Sequence, residues 1–331
     1  MSYSGNAPFN GPLFIGGMPR SGTKLLRNLL NRHPRISILE IETEFLPWLA
    51  RCLGEYGDLS NVDNFHRFYG TIVRLPYFIY RANEGRLIDV DNWHKACTNY
   101  GAANIFEILV RLEIGAPPHT NIIWGDKSPS YIDDLPLIAD LYPQARFIHI
   151  VRDVRDYCLS IQKAWGKYML RAAKRWVDGV TAASQSGSRL GDRYLEVRYE
   201  DLLLDTEDIM RVISEYLGID YDPAMTTLDK PSENLGNAKG QSSVLKSNSR
   251  KYLTIMPNKT LRRIEKLAGQ VLLEKGYELN HPIQPAARLS KAEMLYRQFK
   301  DGVGLVKYET RQQGLLGALR FHFRYFQTTR G

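Results

Sequence analysis

Cysteine is scarce in this chain, three among 331 residues. Cys52, Cys97 and Cys158 have neither paired nor metal-type spacing, so no disulfide framework and no zinc site is expected. A reduced, cytoplasmic setting is the corresponding expectation. No run approaches the ~18 apolar residues needed to cross a membrane, and the polar start Met1-Ser2-Tyr3-Ser4-Gly5-Asn6 lacks a signal-peptide pattern. Internal repeats and low-complexity segments are also missing. What the chain does have is apolar residues, at 44%, enough to bury a substantial core as one α/β unit with or without an appendage.

Two loops of a phosphate-binding type stand out. The first, Gly17-Met18-Pro19-Arg20-Ser21-Gly22-Thr23-Lys24, follows the apolar run Leu13-Phe14-Ile15 and leads into Leu25-Leu26-Arg27-Asn28-Leu29-Leu30, whose leucines repeat at helical spacing. Strand, turn and helix in that order place unpaired backbone N–H groups and the positive end of a helix dipole at the turn, which suits an anion. Gly22 lets a phosphate approach closely. Gly17 and Gly22 stand at Walker A spacing, but Thr23-Lys24 follows where a nucleotide triphosphatase needs Lys and then Ser or Thr. That order predicts a phosphate-bearing donor handled without a metal; the plain alternative is a surface turn. The second loop, Val151-Arg152-Asp153-Val154-Arg155-Asp156-Tyr157-Cys158-Leu159-Ser160, follows the strand-like Arg146-Phe147-Ile148-His149-Ile150.

With these residues in view, the chain resembles the PAPS-dependent sulfotransferase superfamily, whose donor is 3′-phosphoadenosine 5′-phosphosulfate. The family's P-[RK]-[SGT]-G-T loop reads Pro19-Arg20-Ser21-Gly22-Thr23 here, and its Arg with a Ser eight residues later reads Arg152 and Ser160. The resemblance implies that Arg20, Ser21, Gly22, Thr23 and Lys24 surround the 5′-phosphosulfate, and that Arg152 and Ser160 hold the 3′-phosphate. Arg20 keeps the charge of the family's usual Lys with a bidentate fork. Tyr194 to Leu202 looks like the family's late strand and turn, so the likeness runs from about Leu13 to Leu279. The chain looks more like soluble bacterial members than like anchored Golgi enzymes. Near Lys246-Ser247-Asn248-Ser249-Arg250-Lys251-Tyr252 relatives close a loop over the 3′-phosphate, which makes Arg250 and Lys251 donor candidates; a plain surface loop is the other reading.

Sulfuryl transfer needs a base for the acceptor hydroxyl and cations for the charge that gathers on the leaving side. By family spacing from Pro34 the resemblance makes Glu42 the base, with Glu40 and Glu44 as competitors. Trp124-Gly125-Asp126-Lys127-Ser128-Pro129 is similar to the family's E-K-[ST]-P stretch, which gives Lys127 the role of stabilising the transferring group and leaves Asp126 as an alternative base. The K-T-H run of phenol and steroid sulfotransferases is absent, so the expected acceptor is a carbohydrate or glycolipid hydroxyl, with a natural-product or protein tyrosine hydroxyl as the alternative. His33 and His149 read as structural.

Strand-like runs at Leu13–Gly17, Ile36–Leu39, Ile122–Trp124, Arg146–Val151 and Tyr194–Val197 alternate with helical segments. They predict a P-loop-like, mainly parallel sheet of about five strands with helices on both faces. Residues 1–285 would form the catalytic domain, with a helical insertion at about 55–120 shaping the acceptor pocket or simply packing as core. The extension 286–331 carries nine Lys and Arg against three acids and ends in Phe321, Phe323, Tyr325 and Phe326. It reads as a contact for an anionic membrane or polymer, or as a helix packed on the domain or on the mate in a homodimer. No motif supports nucleic acid. A P-loop kinase and a non-catalytic glycan- or membrane-binding protein are the readings of other classes; neither accounts for Arg152 and Ser160.

Overall fold

The computed structural model describes residues 9–231, 240–283 and 314. The extension 286–331, apart from Gly314, and the late segment 232–239 lie outside the described residues, so the expectations attached to them stay as stated.

Five strands form one sheet: β1 (Leu13–Gly17), β2 (Ile36–Ile38), β3 (Ile123–Lys127), β4 (Arg146–Val151) and β5 (Tyr194–Arg198). Their order is β2-β3-β1-β4-β5 and every pairing is parallel. Successive side chains of a strand face opposite sides of a sheet. Leu13 and Ile15 accordingly enter one core with Ile148 and Ile150, while Phe14 enters the other with Phe147 and Val151. Burial on both faces is why β1 reads as an unbroken apolar run and β4 as one interrupted by His149 after its opening Arg146.

Helices α1 (Thr23–Leu30), α10 (Tyr199–Leu204) and α11 (Thr206–Leu217) cover the Leu13 face. The Phe14 face takes α2 (Leu46–Cys52), α3 (Val62–Ile72), α4 (Pro76–Asn83), α5 (Val90–Ala96), α6 (Ala102–Ile114), α7 (Leu135–Leu141), α8 (Val154–Trp165), α9 (Met169–Ser188), α12 (Tyr252–Ile255) and α13 (Asn258–Glu274). Helices α3 to α6 occupy the 55–120 insertion and send Phe65, Phe68, Phe78, Trp93 and Phe106 fully into this core.

Strand β3 differs from its expected range. It continues past Trp124, where the expected run ends, through Gly125, Asp126 and Lys127, all buried. Gly125 permits this, because a Cβ there would stand 2.1 Å from the Leu13 carbonyl oxygen on the adjacent strand. The extra residues carry Lys127 to the same sheet end as the first loop. Among the described residues, no helix is long and apolar enough to cross a membrane.

Candidate active site

The first loop leaves β1 and turns through a backbone bond from Ser21 N–H to the Met18 carbonyl, 3.1 Å. Gly22 then takes φ 96°, and a Cβ on it would meet the Tyr199 ring at 2.3 Å. No side chain caps α1, so its first N–H groups stay available to an anion. Ser21 is fully buried, and its hydroxyl has no hydrogen-bond partner among the described residues. Arg20, Glu44 and Arg250 are the non-glycine residues with left-handed φ among those described. That conformation costs roughly 1–2 kcal/mol for an L-residue and concentrates where a site requires it.

The second loop meets the first around Arg20 and Arg152. Arg152 leaves the end of β4, donates from Nη1 to the Arg20 carbonyl at 2.9 Å and from Nη2 to the Asn248 carbonyl at 3.2 Å, and lies 4.6 Å over the Tyr199 ring. Arg20 Nε reaches Ser160 Oγ at 3.4 Å. Lys251 Nζ donates to Asn248 Oδ1 at 2.6 Å, and Asn248 Nδ2 donates to the Tyr199 hydroxyl at 2.7 Å. Burial first, and then the charge of Arg152, bring the Lys251 ammonium down to about 8, with Lys163 and Arg20 adding to the effect. Arg20, Arg152, Ser160 and Lys251 therefore share one cation-rich patch. Arg250 is exposed and adds no side-chain hydrogen bond to that patch among the described residues.

Beside it opens a cavity of about 870 Å³. The first loop, from Gly17 to Lys24, forms one wall; Glu42 and Glu44 form another. Glu42 Oε1 is paired with Lys127 Nζ, which is wholly buried. Burial lowers the Lys127 ammonium and Glu42 opposes that shift, while Arg27 and Lys24 push in the same direction as burial. Glu44 is exposed and opens to the cavity, with protein crowding its inner side. That crowding, with the charges of Glu42 and Asp126, raises its carboxyl to about 7. Glu40 instead points away to an exposed pair with Lys230, 2.5 Å.

Asp126 does not line the cavity: it is fully buried and accepts from Thr43 Oγ1 at 2.7 Å and Ser128 Oγ at 2.9 Å. His33 and His149 are structural, bonded to the Asp220 carbonyl at 3.0 Å and to the Tyr194 hydroxyl at 2.6 Å.

The far wall expected from 55–120 comes from elsewhere. It is built by Trp165 at the end of α8 and by Arg171, Lys174, Arg175 and Asp178 along α9, because the insertion spends its apolar side chains on the core. The i, i+4 spacing of Arg171 with Arg175 and Lys174 with Asp178 was the available signal. Tyr199 and Asn248 were also missed as site residues. Among the described residues no group of three or more His, Cys, Asp or Glu is placed to hold a metal ion.

A model of the Sulfotransferase family matches residues 12–223. Protein-tyrosine sulfotransferase A of Caenorhabditis elegans is 25% identical over 228 residues, covering 66% of this chain and 52% of that protein. Nodulation protein NoeE of Sinorhizobium fredii is 25% identical over 236 residues, covering 64% of this chain and 50% of that protein. The chain thus spans about half the length of these curated relatives. Among solved structures, the sulfotransferase domain of the Synechococcus PCC 7002 olefin synthase superposes with a TM-score of 0.53 at 24% identity, covering 84% of this chain and 98% of that domain. That likeness concerns the fold.

Proposed function

Because the chain belongs to the Sulfotransferase family, we propose that it transfers a sulfuryl group from 3′-phosphoadenosine 5′-phosphosulfate to an acceptor hydroxyl. The observation that carries this reading is the meeting of two phosphate-type loops: Arg20 bonds to Ser160, and Arg152 bonds to the Arg20 backbone, beside a buried Ser21 hydroxyl in need of a partner. One loop suits the phosphosulfate end and the other the additional 3′-phosphate.

In the proposed reaction the acceptor oxygen attacks sulfur as the bond from sulfur to the bridging phosphate oxygen breaks. The electron pair leaves with the phosphate, giving 3′-phosphoadenosine 5′-phosphate, and the hydroxyl proton passes to Glu42. Glu42 is the better base than Asp126 because it lines the cavity, whereas Asp126 is sealed from it. Arg20 and Lys24 line the same cavity and oppose the negative charge that develops there, while Lys127, buried behind the lining, acts on it through its pair with Glu42. Glu42 and Lys127 are thus the proposed catalytic pair, and Lys251 a proposed donor contact.

The acceptor class is a finer proposal. Relatives named for protein tyrosine support a phenolic hydroxyl, while the sugar or glycolipid hydroxyl expected from the sequence remains the second reading, favoured by the polar wall of Arg171, Lys174, Arg175 and Asp178. Sulfur-labelled donor offered with a tyrosyl peptide, an oligosaccharide and fractionated cell extract in parallel tests both. Label on the peptide alone selects tyrosine, label on the sugar alone selects carbohydrate, and no label on any acceptor overturns the activity.

A further inference from the structure

Asp126 is the alternative base that the family resemblance offers, yet its surroundings give it a different task. Its Oδ2 accepts both the Thr43 hydroxyl at 2.7 Å and the Ser128 hydroxyl at 2.9 Å. The direction of the surrounding bonds follows from proton count. Thr43 has a single hydroxyl proton and gives it to Asp126, so the 2.6 Å contact between Thr43 Oγ1 and the Tyr131 hydroxyl is donated by tyrosine. Tyr131 in turn accepts from the Leu46 N–H at 3.4 Å, and Ser128 Oγ accepts from the Glu44 N–H at 3.1 Å. Every donor in this buried network leads towards one oxygen of Asp126.

The run that is tethered is the one that carries Glu42. Thr43 is buried while Glu42 and Glu44, on either side of it, line the cavity, and Glu44 turns the chain through a left-handed φ of 55°. Upstream, Arg27 donates to the backbone carbonyls of Leu39, at 3.4 Å, and Glu40. Glu42 is therefore held between two anchors, and Asp126 stands next in sequence to its partner Lys127. One carboxylate thus ties the base-bearing run to the strand end that bears the lysine.

Resting on the sulfuryl-transfer reading above, we propose that Asp126 is a positioning residue, whose carboxylate clamps Thr43 and Ser128 so that Glu42 faces Lys127 in working geometry. Its second oxygen has no partner among the described residues. An asparagine can therefore put its amide there while its carbonyl keeps both hydroxyls, whereas alanine loses both.

The test compares Asp126→Asn with Asp126→Ala, and Thr43→Ser with Thr43→Val. Lysine side-chain NMR reports the Glu42-dependent shift of the Lys127 ammonium, assigned with Lys127→Arg and defined by its loss in Glu42→Gln. Calorimetry with 3′-phosphoadenosine 5′-phosphate checks that the donor site is intact, and labelled donor measures turnover on whichever acceptor is labelled above. Asp126→Asn and Thr43→Ser are expected to keep the Lys127 signature and fall less than tenfold in turnover, as a modest displacement. Asp126→Ala and Thr43→Val are expected to lose the signature and fall by about 100-fold, the cost of a misplacement of the order of 1 Å, with bisphosphate affinity unchanged.

Asparagine as damaging as alanine would make Asp126 a proton-transfer group itself and overturn the proposal. So would alanine and valine variants that keep the Lys127 signature. If Asp126→Ala does not fold, the Thr43 pair decides. If the wild-type protein labels no acceptor, the activity reading has failed, while the Lys127 signal still decides whether the clamp exists.

Discussion

Gly22 concentrates the demands of the proposed donor loop in one atom. Its φ of 96° is open to glycine, and the Tyr199 ring occupies the space a side chain would need. Gly22→Ala is expected to abolish measurable binding of 3′-phosphoadenosine 5′-phosphate by calorimetry, since either the loop or Tyr199, on which Arg152 stacks, must move. Gly70→Ala, in helix α3 with open space around it, is the matched change that should leave binding intact. At the proposed base, Glu42→Gln keeps shape and removes the proton acceptor, so donor affinity should persist while transfer falls by about 10²–10⁴-fold. Glu44→Gln is the decisive companion. Both carboxylates line the cavity, but only Glu42 is paired with Lys127. A dead Glu44 variant beside an active Glu42 variant would move the base by two residues.

Among the elements, the β5–α10 junction carries a second raised carboxyl. Glu200 is buried, accepts from the Asp153 N–H at 3.1 Å and the Tyr277 hydroxyl at 2.8 Å, and is raised to about 7, first by burial and then by the charge of Asp153. The folded protein therefore binds more protons than the unfolded chain between the ordinary glutamate value and about 7. The stability this group contributes is fully present below the ordinary value and is lost as pH rises through about 7. Denaturant unfolding at pH 5 and pH 8 should show a loss on the order of 3 kcal/mol from this group, absent from the difference measured in Glu200→Gln; equal losses in both proteins would refute it. The elements themselves were largely legible in the sequence. β1 is an apolar run, and β4 one apart from Arg146 and His149, because both sheet faces are covered there, and the first loop announces its helix. β3 is expected to end at Trp124, short of the charged Asp126 and Lys127, yet their charges are answered inside the fold by Thr43, Ser128 and Glu42. Such partners lie far along the chain, and so do those that make Tyr199 and Asn248 part of the site. The cavity wall was misplaced for the same kind of reason: helical pattern identifies α3 to α6 and α9 alike, but only packing decides which of them faces the loops.

For the whole molecule, the sheet order matters because β1 lies between β3 and β4. The carboxyl ends of these three strands bring the first loop, Lys127 and Arg152 side by side, in the crevice where open parallel sheets gather ligands. A ligand bridging loops from β1 and β4 must stabilise the folded chain as a unit, by about 2.7 kcal/mol at a hundredfold excess over its dissociation constant. At equal concentration, 3′-phosphoadenosine 5′-phosphate should raise the melting temperature more than AMP does, because only the former offers a phosphate to Arg152 and Ser160. A charge-assisted contact contributes roughly 1.5–3 kcal/mol, a factor of ten or more in affinity. Arg152→Ala should erase the difference between the two nucleotides. The absolute melting temperature of that variant is a poor guide, since the arginine also holds the Arg20 and Asn248 carbonyls and its removal loosens the empty protein. The difference between nucleotides cancels that loss. If wild-type protein is stabilised equally by both, the second loop does not read a 3′-phosphate, and the donor assignment falls with it.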